Sequence, residues 1–377
     1  QVCRGRECLY FVITLGDLFT RAQQPGFQPE RAALHVPDLS TKCVFVNFGA
    51  RKHEILSEHG LGAVKIMTPL PSNNFEGMGA NFGPISALSW SGTVAVDLLI
   101  QLQQSIRPYE LAPGASDATY EQALARVVAA VASGSIDAVV AALEWSAERF
   151  ATIPQDRSNP RPRIVLVGEY LLYNHYLNLD LVRQIEALGG EVEVNRYYKL
   201  FYGLNLGIME RALAADDQAA YEQILAADNQ LRTLEHRVVA PVKYLFTDRQ
   251  PYAASAEVLR NHVRPHYNPE ISNGGVDWAE AIDLVEHGAS GVIQIVPFLC
   301  LGAIVSAAMG SRVRHDIGGV PWLDVVFDAQ GSTNIRTRLE AFMHQASQFQ
   351  RGGRHSLQMN IPLLQANKPR TPAPLGL

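Results

Sequence analysis

Arg163-Ile164-Val165-Leu166-Val167-Gly168-Glu169 is a continuous apolar run held between an arginine and a glycine–glutamate pair. A segment apolar at every position, instead of every second one, reads as a strand buried on both faces, and the glycine marks its exit into a loop. Residues 178–188 follow with helical amphipathic spacing and close on Gly189 and Gly190. Residues 191–194 then read as a second strand. Strand, helix and strand in so few residues form a βαβ unit, with parallel strands and a right-handed crossover.

The same alternation extends outward from this unit. Downstream, residues 204–245 are largely helical, 278–287 form a helix stopped by Gly288, and 291–296 read as a buried strand with Cys300 just beyond its end. Residues 321–327 give the last strand and 337–349 the closing helix, with Arg338, Glu340 and His344 on its polar side. Upstream, Pro160 and Pro162 mark 156–163 as a linker. Before it, helical periodicity covers 119–150 and 88–106, and 73–82 is an Asn- and Gly-rich loop. Strands at 64–67 and 32–36 flank a helix from near Cys43 to about His59, ended by Gly60 and Gly62. A helix over 9–21 opens the chain.

The expected fold is therefore α/β with parallel sheets in two domains. Residues 1–155 form the first, 164–350 the second, and 351–377 an extended, proline-bearing tail. The 377 residues suit two cores, and 47% apolar with 18% charged residues describes a globular protein. A net charge of −5 with scattered Lys and Arg gives no reason to expect a nucleic-acid partner. No secretory signal is recognised, and no uninterrupted apolar stretch approaches the roughly 20 residues of a membrane span. The run 292–309, broken by Gln294, Pro297, Gly302 and Ser306, suits a buried strand followed by a helix. The first residue is not Met, so a longer polypeptide is expected.

Cys3, Cys8, Cys43 and Cys300 are too few and too scattered for an extracellular disulfide scaffold and point to a reducing, cytoplasmic compartment. Buried thiols are the plain reading of each one taken singly. Their places favour ligation. Cys43 and Cys300 follow strands, at the edge where parallel sheets build their sites, and Cys8 precedes a helix, whose dipole favours a thiolate. Three such thiolates suit either zinc or an iron–sulfur cluster. Cys3, spaced C-x4-C from Cys8, is a fourth ligand or a bystander.

Gly5-Arg6-Glu7-Cys8-Leu9 with Thr14-Leu15-Gly16-Asp17 resembles the opening of the 2-hydroxyacyl-CoA dehydratase superfamily. The closest likeness is to the dehydratase-like region of the large acyl-CoA dehydratase activase-related proteins. Thr41-Lys42-Cys43 stands where that family has a Gly-Pro-Cys loop. Arg107-Pro108-Tyr109-Glu110, Ala115-Ser116-Asp117-Ala118-Thr119-Tyr120, and the 164–169 strand with Asn178 are similar to its segments. The fullest match is Ile295-Val296-Pro297-Phe298-Leu299-Cys300, with Val320-Pro321-Trp322-Leu323, Phe327-Asp328 and Thr337-Arg338-Leu339-Glu340-Ala341-Phe342. The likeness spans roughly residues 1–345.

The resemblance implies two Rossmann-like or flavodoxin-like domains with a four-iron four-sulfur cluster in the cleft between them, ligated by Cys8, Cys43 and Cys300. It implies a homodimer or heterodimer that takes low-potential electrons from an ATP-dependent activator. It also implies reduction or dehydration of a small substrate, such as an acyl-CoA, through a ketyl radical. A non-catalytic relay or scaffold subunit is the alternative, since Tyr10, Thr41-Lys42 and Leu299 depart from the family's loops. The chain shows no Walker-type loop and no G-x-G-x-x-G, so Gly168-Glu169 reads as a tight turn and the ATPase as a separate chain or region. Glu169 is the better candidate for proton handling. Glu7 is a second, although a helix cap or a pair with Arg4 or Arg6 is its plainer reading. Arg338 and Glu340 read as helix-surface or interdomain contacts, and His53, His175 and His266 have no ligand spacing.

Overall fold

The computed structural model describes residue 3 and residues 7–35, 48–67, 82–168, 175, 178–263, 274–328 and 335–352. Cys43, Glu169, His266, Thr41, Lys42 and the expected tail from 353 onward lie outside them. The chain is mixed α/β with parallel sheets. In order it forms α1 (Leu9–Ala22), β1 (Ala33–His35), α2 (Phe48–Glu58), β2 (Lys65–Met67), α3 (Phe82–Ile106), α4 (Ala115–Ala132), α5 (Ile136–Ala151) and β3 (Arg163–Gly168). Then come α6 (Leu181–Ala187), β4 (Glu191–Val194), α7 (Lys199–Ala214), α8 (Gln218–Val239), α9 (Ala256–Val263), α10 (Gly274–Glu286), β5 (Gly291–Pro297), α11 (Leu301–Asp316), β6 (Trp322–Phe327) and α12 (Ile335–Gly352).

Among the described residues, the larger sheet has four parallel strands in the order β4-β3-β5-β6. The βαβ reading of 163–194 holds: β3 and β4 pair with Ile164 opposite Val192. The direction of strand addition reverses at β3, which has β4 on one side and β5 on the other. Ligands of open parallel sheets gather beyond the strand ends at such a reversal. Alternate residues of these strands fill two cores. Ile164, Leu166, Ile293 and Ile295 meet α6 and α12, whose Leu339 is fully buried. Val165, Val167 and Val292 meet α10 and α11 through Trp278, Ile282 and Val313.

A smaller parallel pair, β1 and β2, is bridged by α2. The helix expected from near Cys43 is described only from Phe48. The single helix expected at 119–150 is two, because Gly134 turns with φ 76° and Ser135 caps α5 by accepting the Ala138 N–H at 3.2 Å. The helical stretch 204–245 divides likewise. Asp216 takes φ 56° and Asp217 caps α8 through the Ala220 N–H at 3.0 Å.

Helices α3, α4, α5 and α8 share a core with Tyr198 and Tyr202 of the α7 turn, so elements from both sides of residues 156–163 pack together. With the turn after it, α3 is long and apolar enough by composition to cross a membrane, and half of that window is buried here. Its polar residues explain its place. Gln101 donates to the Val194 carbonyl, and Gln104 accepts the Val194 N–H at 3.2 Å. β4 is the outer strand, and these glutamines satisfy backbone groups that a further strand would otherwise pair.

Candidate functional site

Pro297, at the end of β5, leads into a turn that ends at Cys300, the residue capping the start of α11. Leu299 reaches this turn with φ 56°, a left-handed conformation that costs a non-glycine residue about 1–2 kcal/mol. Cys8 caps the start of α1 in the same way, and neither thiol makes a side-chain bond to its helix. The two starts meet: the Leu9 N–H donates to the Phe298 carbonyl at 3.4 Å, and Leu9 enters the sheet core beside Ile293 and Ile295. Residues at opposite ends of the sequence thus place Cys8 and Cys300 at one edge of the sheet, beside two helix N-termini whose partial positive charge favours thiolate.

Two further features mark this edge. Gly168 ends β3 with φ 110°, and a β-carbon there would lie 2.3 Å from the Ile295 carbonyl oxygen, so β3 and β5 approach too closely for any side chain. Beyond β3, Asn178 is fully buried. Its Oδ1 accepts the Leu181 N–H at 3.3 Å, while its Nδ2 has no partner among the described residues. Leu179 and Asp180 beside it are left-handed, as Leu299 is. Backbone strain and an unanswered buried donor are features that collect where a ligand is held.

Cys3 and Cys8 pack against Tyr10, Phe11, Leu15, Phe48 and Ile55, the cluster joining α1 to α2. Burial, with the Glu7 carboxylate, raises the Cys3 thiol above its ordinary range, which favours the protonated form there. Cys8, not Glu7, stands at the N-cap position of α1. Glu340 pairs with Arg336 on the surface of α12, and Arg338 donates to the Asp324 carbonyl on β6. His53 and His175 are exposed. Among the described residues no three Cys, His, Asp or Glu side chains form a metal-binding group. Cys8 and Cys300 nonetheless supply soft sulfur donors from adjoining helix starts, a chemistry that fits iron–sulfur or zinc better than hard cations.

Sequence reading missed three buried features nearby. Lys52 on α2 is 1% exposed, with its ammonium 5.6 Å and 6.0 Å from the centres of the Phe48 and Phe11 rings. Burial lowers it to about 8 while the Cys8 thiol acts the other way. The signal was available: Phe48, Lys52, Ile55 and Leu56 follow helical spacing, which places a lysine inside an apolar stripe.

Asp97, Gln101 and Gln104 form the converse, a polar stripe on an apolar helix. They line a cavity of about 570 Å³ between α3, α4 and the end of β4. Asp97 accepts the Tyr198 N–H at 3.0 Å at the start of α7. Burial raises its carboxyl to about 7 against the opposing pull of that bond and of Arg196.

The third feature is the buried pair of strand glutamates. Glu191 accepts from Arg249 and from the Tyr109 hydroxyl at 2.7 Å, and Glu193 lies 3.5 Å from Arg163. A cavity of about 660 Å³ opens at this opposite edge of the sheet, but Arg163 is already bound to the Asp248 and His287 carbonyls. Comparison with protein-family models, with curated proteins and with solved structures finds no match.

Proposed function

We propose that this chain is an iron–sulfur redox subunit of the 2-hydroxyacyl-CoA dehydratase type, in which Cys8, Cys43 and Cys300 hold a four-iron four-sulfur cluster. In this reading two Rossmann-like or flavodoxin-like units flank the cluster, and an ATP-dependent activator supplies electrons. The protein works in the cytoplasm as a dimer on an acyl-CoA or another small substrate. The observation that supports it most is the joining of the two helix starts that Cys8 and Cys300 cap, remote in sequence, through the Leu9 N–H and the Phe298 carbonyl. The likeness of the segments around all three cysteines supplies the rest.

The group would contribute one-electron chemistry, with its potential set by burial and by hydrogen bonds to sulfur. The chain's own residues have separate tasks. Cys8 and Cys300 present thiolates from helix N-termini, and the left-handed turn at Leu299 sets the direction from which Cys300 enters. Asn178 offers a buried amide N–H to an acceptor at the edge. Glu169, following Gly168 in sequence, and Glu7, preceding Cys8, are the carboxylates proposed to handle protons.

Anaerobic reconstitution with iron and sulfide tests the reading. The expected result is bound iron with acid-labile sulfide and a reducible paramagnetic signal that Cys300→Ala abolishes and Cys3→Ala leaves largely intact. Zinc retained without acid-labile sulfide overturns it. A signal altered by an acyl-CoA identifies a catalytic subunit, whereas a reducible signal indifferent to small substrates identifies a relay.

A further inference from the structure

Lys52 is among the most completely buried side chains in the chain. Its ammonium reaches no acid: among the described residues no carboxylate lies within ion-pair distance, and the charge acting on it is that of the Cys8 thiol, which packs against the same Phe11 and Phe48. The faces around it are aromatic, with Phe11 from α1 and Phe48 from α2 meeting edge to face at 5.0 Å. Two rings soften the burial of a cation but do not replace a counter-charge. A methionine would fill the same space without that penalty, so a lysine here calls for an anionic partner. The place where one would sit is already marked by Cys8 and by the N-termini of α1 and α11, which add positive potential of their own.

We propose that Lys52 is the counter-cation of the cysteine site, a buried positive charge that shares the Phe11 and Phe48 rings with Cys8 and favours an anionic occupant over a neutral one. It is a positioning residue: it acts on the sulfur and on whatever the sulfur holds, not on substrate. The proposal deepens the iron–sulfur reading, in which thiolate ligation makes the occupant anionic. It also makes a claim about the cysteine-only chain that stands apart from any cluster.

The test begins with the cluster-free chain under anaerobic conditions. Exchange at Cys8 is followed by peptide mapping with two aromatic disulfides, one carrying carboxylates and one neutral. The ratio of the two rates reports local potential and cancels the thiolate fraction common to both. Lys52→Met should lower the anionic-to-neutral ratio about tenfold, whereas Lys52→Arg, which keeps the charge, should hold it within about twofold of the parent. After reconstitution, the reduction midpoint of Lys52→Met should be more negative than that of the parent and of Lys52→Arg, because an added electron then lacks its nearby cation.

An unchanged ratio in Lys52→Met overturns the proposal whether or not a cluster assembles. A lowered ratio in a chain that retains no iron and sulfide leaves the role of Lys52 standing and removes the cluster reading instead. If Lys52→Met fails to fold by circular dichroism, Lys52→Gln carries the same comparison with the same outcomes.

Discussion

Gly168 is where one residue decides whether the sheet can close. Its φ of 110° is already costly for any side chain, and a β-carbon would sit 2.3 Å from the Ile295 carbonyl oxygen, inside the backbone of the neighbouring strand. Neither atom belongs to a flexible group, so the strands themselves would have to part. Gly168→Ala should therefore lose about 3–5 kcal/mol in urea unfolding, strain and clash together. Gly189 separates the two effects. It has φ 86° with nothing within 4 Å of an added β-carbon, so Gly189→Ala should cost only about 1 kcal/mol. Equal losses at the two positions would show that strand approach is not what Gly168 protects.

Among the elements, α3 joins the helical core to the edge of the sheet, and Asp97 is the titrating part of that joint. Its carboxyl accepts the Tyr198 N–H at the start of α7, yet burial raises it to about 7 from an ordinary value near 3.8. In the unfolded chain the proton leaves near pH 4. In the folded chain it stays until about pH 7, so between these values the folded state binds more protons. The stability tied to the bound proton is complete below pH 4 and is lost as pH rises through 7, at most about 4 kcal/mol in all. Asp97→Asn keeps an acceptor for the Tyr198 N–H and cannot ionise. It should gain on the parent as pH rises from 4.5 to 7.5, measured by urea unfolding, and identical pH dependence in the two proteins would remove Asp97 from this role.

Several elements are legible in the sequence because their physics is local. β3 and β5 are apolar throughout since both faces are covered, and glycines end α2, α6 and α10. The breaks inside the long helical stretches were carried by single residues, Ser135 and Asp217, whose capping roles emerge only once the neighbouring turn forms. Glu191 and Glu193 lie on one face of β4, and local pattern does not say what meets them. They are buried, because Arg249 and Arg163 arrive from segments that no local pattern connects to them. The site shows the same division. Strand-end and helix-start positions for Cys300 and Cys8 follow from nearby residues, whereas the joining of the two helix starts depends on α1 docking against a turn nearly 300 residues away.

At the scale of the whole molecule, the proline-bearing segment 156–163 reads as a linker, and the contacts around it connect its two sides. Trp90 Nε1 on α3 donates to the Leu231 carbonyl on α8 at 3.0 Å. Arg107 binds Glu186 at 2.7 Å while Asp117 binds Arg183 at 2.6 Å, and Tyr109 reaches Glu191. Behind these polar links the core of α3, α4 and α5 includes Tyr198, Tyr202, Val238 and Val239 from beyond the segment. Exposing those residues would cost on the order of 1.5–3 kcal/mol each, more than the polar links combined would return. Trypsin cleavage after the half-exposed Arg157 should therefore leave two pieces that remain associated and melt together. Tryptophan fluorescence reports on both sides, through Trp90 and Trp145 before the cut and Trp278 and Trp322 after it. Its transition should coincide with that of far-ultraviolet circular dichroism. Two separate transitions, or a cleaved C-terminal piece that stays folded alone, would instead make 156–163 a boundary between independent domains.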